Sequence, residues 1–304
     1  MSDDAIIDRT DYLAGVPCWI DTEQPDPDGA AEFYGGLFGW EFENKLPPGI
    51  DDKYLVATFN GLDVAAIASP TPDVTGTPTW NTYVSVADAD AAASRAVTLG
   101  AEVLLAPVDV GPPGAIAGRW SALRDPDGAH IRLWQPGYRH GAQLVNAEGT
   151  WNSSDLTTTN VDGAKAFYGG LFGWQADPVE FGSSDTDGES FMWRLPGYGD
   201  FLAIRDPDIK ARHAEPWVLE GFSDAIGWMT TAGAQPSAGS PVWTVTFSVN
   251  GTDAAVETAV KLGGTVVSPP TDVGGGVVRV ATLRDPQGAE FSIGTFDPTA
   301  LSGG

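Results

Sequence analysis

The chain has 304 residues, a length typical of two domains, and its hydrophobic content of 42% is enough to build packed cores. Its formal charge of −25 opposes contact with nucleic-acid phosphates and with anionic lipid surfaces, so we expect neither as a partner. The single cysteine, Cys18, excludes an intramolecular disulfide. No secretory signal or membrane-spanning run is evident, and these features together predict a cytoplasmic protein.

Two motifs occur twice in the chain, in the same order. The octapeptide FYGGLFGW lies at residues 33–40 and again, unchanged, at residues 167–174. The heptapeptide LRDPDGA at residues 123–129 returns as LRDPQGA at residues 283–289. This repetition indicates an internal duplication.

The positions of the repeats divide the chain into two similar parts. They predict a first domain at residues 1–136, a linker at residues 137–149 and a second domain at residues 150–304. The second domain contains additional residues after its first helix, which predicts an insertion near residues 205–241. Trp217 and Trp228 fall in this insertion and are candidates for the wall or lid of a cleft.

Each domain is predicted to contain the pattern βαβββ twice. In the first domain a strand at residues 16–23 leads into a helix that ends near Gly39. The dipeptide Asn60-Gly61 is typical of a tight hairpin turn between strands at residues 53–59 and 62–68.

The pattern then restarts with a strand at residues 80–86. Asp88 is predicted to cap the next helix, and Gly100 to stop it. Three further strands complete the unit. The predicted fold class is therefore α+β, with two tandem domains, each of paired βαβββ units forming a curved, open-barrel-like mixed sheet around a cleft.

Alternation along the strands separates a face that packs on helices from a face that can line this cleft. In the first domain the predicted catalytic residues on the cleft face are Asp21, Glu23, His130 and Arg132. The predicted ligand-binding residues beside them are Trp19, Asn81, Tyr83 and Trp134. In the second domain the predicted ligand-binding residues are Asp155, Thr244, Glu290 and Ser292. The alternative is a solvated face whose charges merely neutralise each other.

The first domain carries the groups that acid–base chemistry needs. Asp21 and Glu23 are two residues apart on one strand, so their mutual repulsion should raise the pKa of one carboxyl. A carboxylate base, with Arg132 or Tyr83 stabilising an enolate or phenolate, makes a proton-transfer site. The second cleft, lined with serine and threonine, suits catalysis less, which predicts an active first half and a supporting second half.

The repeated helix ends, the paired βαβββ units and the segment LRDPDGAHIRLWQ resemble the vicinal oxygen chelate superfamily of glyoxalases, bleomycin-resistance proteins and extradiol dioxygenases. The tandem form, with PCWID near its start and LFGW twice, is similar to an actinobacterial antigen-like subgroup often labelled glyoxalase-like or hydroxylase. The resemblance covers residues 16–136 and 151–296. It implies the fold and a small-molecule ligand, but the superfamily contains several chemistries.

Metal-dependent members of that superfamily carry His, Gln or Glu at fixed inward positions of their strands. By the resemblance, three of these positions in each domain fall on Trp19, Asn81 and Arg132, and on Ser153, Thr244 and Ser292. The remaining position falls within residues 63–66 and 201–204. These side chains bind divalent ions poorly, so we expect no metal and no other cofactor. A rearranged metal site of Asp21, Glu23 and His130 is the alternative.

The sequence thus predicts a metal-independent enzyme, of hydroxylase, lyase or isomerase type, acting on a small aromatic or dicarbonyl-like metabolite. A non-catalytic protein that sequesters a drug or metabolite, as bleomycin-resistance proteins do, is the alternative. A purely structural role, with both clefts degenerate, is the third possibility. The fused copies predict a monomer that mimics a dimer, or a homodimer.

Overall fold

The computed structural model describes residues 11–71, 77–179, 188–214, 218–231 and 240–296. Within these ranges the chain forms two eight-stranded mixed sheets, and neither sheet closes into a barrel. The predicted α+β class with two tandem domains is confirmed. Trp217 lies outside the described residues, so its predicted place in a wall or lid stays a prediction.

The first domain alternates strands and helices as βαβββ twice. Its elements are β1 (Pro17–Glu23), α1 (Pro27–Phe38), β2 (Glu41–Asn44), β3 (Tyr54–Phe59), β4 (Leu62–Ala68), β5 (Trp80–Ser85), α2 (Ala89–Thr98), β6 (Glu102–Val110), β7 (Gly118–Arg124) and β8 (His130–Pro136). The strand order across the sheet is β2-β3-β4-β1-β5-β8-β7-β6. Because β1 pairs with β5 inside the same domain, one copy supplies every strand around its own cleft.

The second domain repeats this order. Its elements are β9 (Trp151–Thr158), α3 (Val161–Phe172), β10 (Gln175–Val179), β11 (Ser190–Arg194), α4 (Tyr198–Ala203), α5 (Ile209–Arg212), β12 (Ala225–Thr231), β13 (Val242–Ser248), α6 (Thr252–Lys261), β14 (Thr265–Val273), β15 (Val278–Arg284) and β16 (Glu290–Phe296), with 3-10 turns at Phe222–Asp224 and Gly274–Gly276. The strand order is β10-β11-β12-β9-β13-β16-β15-β14, the same arrangement as in the first sheet.

The two domains differ most in the connection between their third and fourth strands. In the first domain this is the predicted Asn60-Gly61 turn, in which both residues have positive φ angles of 53° and 79°. In the second domain residues 195–224 take its place and form α4, α5 and a 3-10 turn. The sequence placed the extra residues near 205–241, and the family resemblance placed the remaining inward strand position within residues 201–204. The structure has a helix at Tyr198–Ala203 and the fourth strand at Ala225–Thr231, because a short apolar run does not distinguish helix from strand.

The helix-covered faces of the two sheets pack against each other. From α1, Phe33 and Phe38 contact the rings of Phe291 and Phe247 in the second sheet, with centroids 6.2 and 4.8 Å apart. The first repeated helix therefore buries its aromatic side chains against the other domain, and this contact joins the two cores.

Two crossed Tyr–Asp pairs, Tyr34 with Asp285 and Tyr168 with Asp125, also join the domains. The Tyr34 hydroxyl donates to Asp285 Oδ2 at 2.9 Å, and the Tyr168 hydroxyl donates to Asp125 Oδ2 at 2.8 Å. The other carboxylate oxygen, Oδ1, accepts three backbone N–H groups of its own DPxG turn in each domain. Both repeated motifs thus hold the interface between the copies.

The predicted linker is packed against the first domain. The amide of Ala142 donates to the carbonyl of Cys18 at 2.8 Å, and the Trp40 indole donates to the carbonyl of Gly149 at 2.7 Å. Ala142 and Leu144 are buried. None of the helices in the described ranges combines the length and the apolar character that crossing a bilayer requires.

Candidate functional site

The cleft face of the first sheet carries a cluster centred on Arg132. Because β1, β5 and β8 are neighbours, the residues that alternate toward this face meet there. Arg132 Nη1 donates to the Tyr83 hydroxyl at 2.7 Å and to Asp21 Oδ1 at 3.2 Å, and Nη2 donates to Glu23 Oε1 at 2.5 Å. The Tyr83 hydroxyl donates to Asp21 Oδ2 at 2.6 Å. Four residues singled out from the sequence therefore touch one another.

Further donors complete this cluster. Asn81 donates to Asp21 Oδ1 at 2.9 Å, and the Thr71 amide and hydroxyl donate to the two oxygens of Glu23 at 3.1 and 3.0 Å. Asp21 is 1% exposed and Arg132 is 4% exposed. Both oxygens of each carboxylate accept hydrogen bonds within the protein. One guanidinium thus faces two carboxylates, and this ionic contact lies in the interior and not on a solvated face.

The guanidinium of Arg132 is held between aromatic rings. It lies 5.3 Å from the Tyr83 ring centre and 5.0 Å from that of Trp120. Desolvation opposes its charge, but Tyr83, Asp21 and Glu23 together raise the pKa of Arg132, so it remains protonated. Burial raises the pKa of Asp21, with Arg132 acting in the opposite direction. The cluster thus resembles a buried salt bridge with a permanent cation.

The two predicted tryptophans also have protein partners. The Trp19 indole donates to the Tyr54 hydroxyl at 3.0 Å, and the Trp134 indole donates to the backbone carbonyl of Arg139 at 2.9 Å. Trp134 lies flat on Gly118, where a Cβ atom would come within 2.2 Å of its ring. These rings occupy much of the first cleft.

His130 stands apart from the carboxylates with which it was grouped. It is exposed at the start of β8, and its Nε2 accepts a hydrogen bond from Arg124 Nε at 3.3 Å. Desolvation and the charges of Arg124 and Arg132 lower the pKa of His130, which favours the neutral imidazole. That His130 acts together with the Asp21 and Glu23 carboxylates stays a prediction, and the contacts of His130 do not favour it.

The second sheet carries Asp155 where the first carries Asp21. Asp155 Oδ2 accepts hydrogen bonds from the hydroxyls of Thr246 and Ser153, at 2.7 and 3.2 Å. Its Oδ1 is buried and has no hydrogen-bond partner among the described residues. The position of Arg132 is taken by Ser292, whose hydroxyl pairs with Thr282 at 3.2 Å. One carboxylate oxygen is therefore left without a donor.

Burial raises the pKa of Asp155 to about 6, against the lowering effect of its bonds from Thr246 and Ser153. A carboxyl with such a pKa is mostly ionised at neutral pH and is a stronger base than an ordinary aspartate. It can accept a proton from a bound molecule and return it.

The side chains around Asp155 are smaller than those in the first cleft. At matching strand positions Tyr83, Trp120, Arg132 and Trp134 are replaced by Thr246, Val280, Ser292 and Gly294. The two other predicted ligand-binding residues are engaged locally: Thr244 donates to the backbone carbonyl of Asp155 at 3.3 Å, and Glu290 pairs with Arg284. The second cleft face thus carries smaller side chains around Asp155 than the first cleft face carries around Asp21.

A cleft of about 550 Å³, within the usual range for small-molecule sites, lies at the β10–β11 end of this face. It is lined by Asp177, Pro178, Val179, Met192, Arg194, Leu219, Glu220 and Gly221. Cross-strand pairing aligns Asp177, Met192, Trp228 and Asp155 in one row across four strands, so they share a face. Trp228 also contacts the Phe222 ring, 6.4 Å away, and forms part of the face beside Asp155.

The residues present do not form the metal site that the fold would permit. Arg132, a permanent cation, fills the space between Asp21 and Glu23, where a rearranged site was the alternative. The second cleft offers the hydroxyls of Ser153, Thr244 and Ser292 at the expected positions. Across the described residues, no three His, Cys, Asp or Glu side chains gather as metal ligands would. This donor set does not fit a divalent ion.

Sequence comparison identifies the class of protein. The glyoxalase-like domain profile matches residues 19–134 and again residues 154–294. The chain belongs to the glyoxalase-like family, and the predicted membership of the vicinal oxygen chelate superfamily is confirmed.

Among relatives, "Putative glyoxylase CFP32" of Mycobacterium bovis is 34% identical over 288 residues, covering 94% of this chain and 96% of that protein. "Anthracycline biosynthesis protein DauV" of a Streptomyces species is 32% identical over 298 residues, covering 93% and 94%.

Solved structures share the fold at low identity. The Mn(II)-bound glyoxalase from Novosphingobium aromaticivorans is 13% identical with a TM-score of 0.56, covering 93% of this chain and 82% of that one. A variant of 4-hydroxymandelate synthase from Streptomyces coelicolor is 13% identical with a TM-score of 0.54, covering 94% of both chains. These similarities establish the fold of the chain. Because one fold can host different chemistries, the chemistry has to be argued from the residues of the site.

Proposed function

We propose that the chain is a metal-independent enzyme that binds a small aromatic or dicarbonyl-like molecule in the cleft of its second domain. Asp155 is its acid–base residue. The observation that carries this proposal is the buried Asp155 Oδ1 without a donor, on a carboxyl whose pKa is raised to about 6. The equivalent Asp21 is fully engaged, so the first domain acts as the supporting half, the reverse of the division that the sequence favoured.

In the reaction, Asp155 Oδ1 accepts a proton from a C–H group beside a carbonyl, or from an aromatic or enolic O–H. The hydroxyls of Thr246 and Ser153 hold the carboxylate in place through Oδ2. Trp228 offers its ring to an aromatic substrate on the neighbouring strand. The protonated Asp155 then returns the proton to another atom of the resulting anion, which amounts to an isomerisation.

The test is proton exchange on a compound that combines the two predicted substrate features. We would incubate EDTA-treated protein with 1-phenylpropane-1,2-dione in D₂O and follow deuterium entry into the methyl group by NMR. We expect accelerated exchange that rises with pH around 6, and a loss of at least a hundredfold in Asp155→Asn. Full exchange by Asp155→Asn would move the chemistry elsewhere. Loss of exchange in an Asp21→Asn/Glu23→Gln variant would do the same only where circular dichroism and urea unfolding show that this variant is folded under the assay conditions.

The non-catalytic alternative has a distinct signature in the same experiment. A sequestering protein of bleomycin-resistance type would quench its tryptophan fluorescence on binding the dione, in an Asp155-dependent way, without exchange. The buried ionic cluster of the first domain, and the 550 Å³ cleft at the β10–β11 end of the second sheet, favour one ligand per chain in both cases. The cytoplasmic location stays part of the proposal, supported by the free, buried thiol of Cys18.

A further inference from the structure

Arg194 places a positive charge in the 550 Å³ cleft, at a distance from Asp155. It lies on β11, and Asp155 lies on β9, with β12 between them. Asp155 aligns with Met192, which is two residues before Arg194 on β11. Neighbouring strands are about 4.8 Å apart and each residue advances a strand by about 3.4 Å, so the Cα atoms of Asp155 and Arg194 are roughly 12 Å apart. A single aromatic ring with one substituent does not bridge that distance, whereas a molecule of two fused rings with a polar arm does.

The segment at residues 219–221, contributed by the insertion, holds Arg194 in the cleft wall. Gly221 has a φ of +76°, and a Cβ atom at this position would come within 3.0 Å of Arg194 Cδ and Nη1. The guanidinium is also ion-paired with Asp177 across β10 and β11. This end of the cleft therefore depends on residues that have no counterpart in the first domain.

The charges near Arg194 decide which ligand group it can receive. Asp177 and Glu220 line the same cleft, and both, together with Asp224, act electrostatically on Arg194 and raise its pKa. Several carboxylates thus surround one guanidinium, which disfavours an anionic group there. A neutral carbonyl oxygen can still accept a charge-assisted hydrogen bond from the guanidinium.

We propose that Arg194 and residues 219–221 form a second subsite, which binds the carbonyl end of an elongated, uncharged aromatic ligand whose hydroxyl end lies at Asp155. This inference rests on the proposed function, because it takes Asp155 as the first contact. It adds to the proposed function that the substrate is elongated and uncharged, with a carbonyl at one end and a hydroxyl at the other.

The experiment compares three probes by tryptophan quenching: 2-naphthol, 6-acetyl-2-naphthol and 6-hydroxy-2-naphthoate. They share the hydroxyl and two rings, and they differ only in the far substituent. One charge-assisted hydrogen bond predicts about tenfold tighter binding of the ketone than of 2-naphthol. The carboxylate should bind more weakly than the ketone. Equal affinities for 2-naphthol and the ketone, or tightest binding of the carboxylate, would overturn the proposal.

Two variants and one control variant locate the effect. Arg194→Met should reduce the ketone advantage to near unity, whereas Arg279→Met, at an exposed ion pair outside the cleft, should keep it. Glu220→Gln, a surface change that leaves the fold intact, should tighten binding of the carboxylate severalfold. A ketone advantage that persists in Arg194→Met, or a carboxylate affinity that Glu220→Gln leaves unchanged, would contradict the subsite.

Asp155→Asn separates this inference from the proposed function. If 2-naphthol binding depends on Asp155 but the ketone has no advantage, the subsite is wrong and the proposed function stands. If 2-naphthol binds equally well to Asp155→Asn, the hydroxyl end of the ligand does not lie at Asp155 and the subsite is wrong. The proposed function is decided separately, by whether deuterium exchange is lost in Asp155→Asn. Failure of all three probes to bind would overturn the subsite as well.

Discussion

Asp155→Asn should stabilise the protein at neutral pH while removing its activity. A carboxyl whose pKa is near 4 in the unfolded chain and about 6 in the folded protein is harder to ionise after folding. Ionised Asp155 therefore opposes folding above pH 6. Asparagine has nearly the same shape and carries no charge, so the variant escapes this penalty.

The size of the effect follows from the pKa difference. Each unit corresponds to about 1.4 kcal/mol, so a rise of two units gives an upper bound of about 3 kcal/mol above pH 6. Partial solvent contact of Asp155 reduces this, and we expect a gain of about 1–3 kcal/mol at pH 8. Below pH 4 the Asp155 carboxyl is neutral in both the folded and the unfolded state. The stabilities of the wild type and the variant should then differ only through the replacement of the carboxyl hydroxyl by an amide group.

The assay is urea unfolding of both proteins at pH 4, 5, 6 and 8. The contribution of Asp155 to wild-type stability should fall as the pH rises from about 4 to about 6 and then level off. The stability difference between variant and wild type should grow over the same interval. A difference that is constant or shrinks with rising pH would refute the assignment of a buried, uncompensated carboxylate.

Three further results are expected from this structure. Arg132→Met should destabilise the protein by about 3–5 kcal/mol in urea unfolding, because two buried carboxylates lose their cation; a change below 1 kcal/mol would contradict this. Ser292→Arg places the first domain's guanidinium in the second cleft and should weaken 2-naphthol binding at least tenfold, whereas Thr271→Arg on the exposed outer strand should have no effect. Tyr34→Phe and Tyr168→Phe should each lower stability by about 1–3 kcal/mol, and Tyr168→Phe should cost more, because Asp285 Oδ2 keeps a bond from Gln24 whereas Asp125 Oδ2 loses the donor that Tyr168 supplies; a larger loss in Tyr34→Phe would contradict this.

The strand alternation predicted much of the cleft face. Asp21, Tyr83 and Arg132 meet because the side chains of neighbouring strands share a face at every second residue, a rule that needs no knowledge of loops. Their mutual hydrogen bonds could not be predicted in this way, because they depend on rotamers and on the exact register of three strands. The same alternation placed Asp155 and Ser292 in the second cleft.

The role that we propose for Asp155 has a signal in the sequence. The second domain keeps the aspartate of the first but replaces its cation, Arg132, by Ser292, which leaves one buried charge without a partner. The hydroxyl-rich second cleft suggests less catalytic capacity when charged groups are counted, and its unpaired carboxylate becomes evident only when each charge is matched with a partner of opposite sign. Arg194 was missed for another reason: the part of the chain that covers it, residues 219–221, has no counterpart in the first domain.

The crossed Tyr–Asp pairs have a consequence for how the two clefts came to differ. In a symmetric homodimer every substitution appears in both subunits, so a cleft cannot be filled on one side and left open on the other. Here the two halves are joined in one chain, so each repeated helix meets the opposite sheet at a high effective concentration. The Tyr–Asp hydrogen bonds then hold the helix and the sheet together. Joining the copies in one chain lets each cleft change alone: one holds a buried ionic cluster around Arg132, and the other keeps in Asp155 a carboxylate without a cation, to which we assign the proposed function.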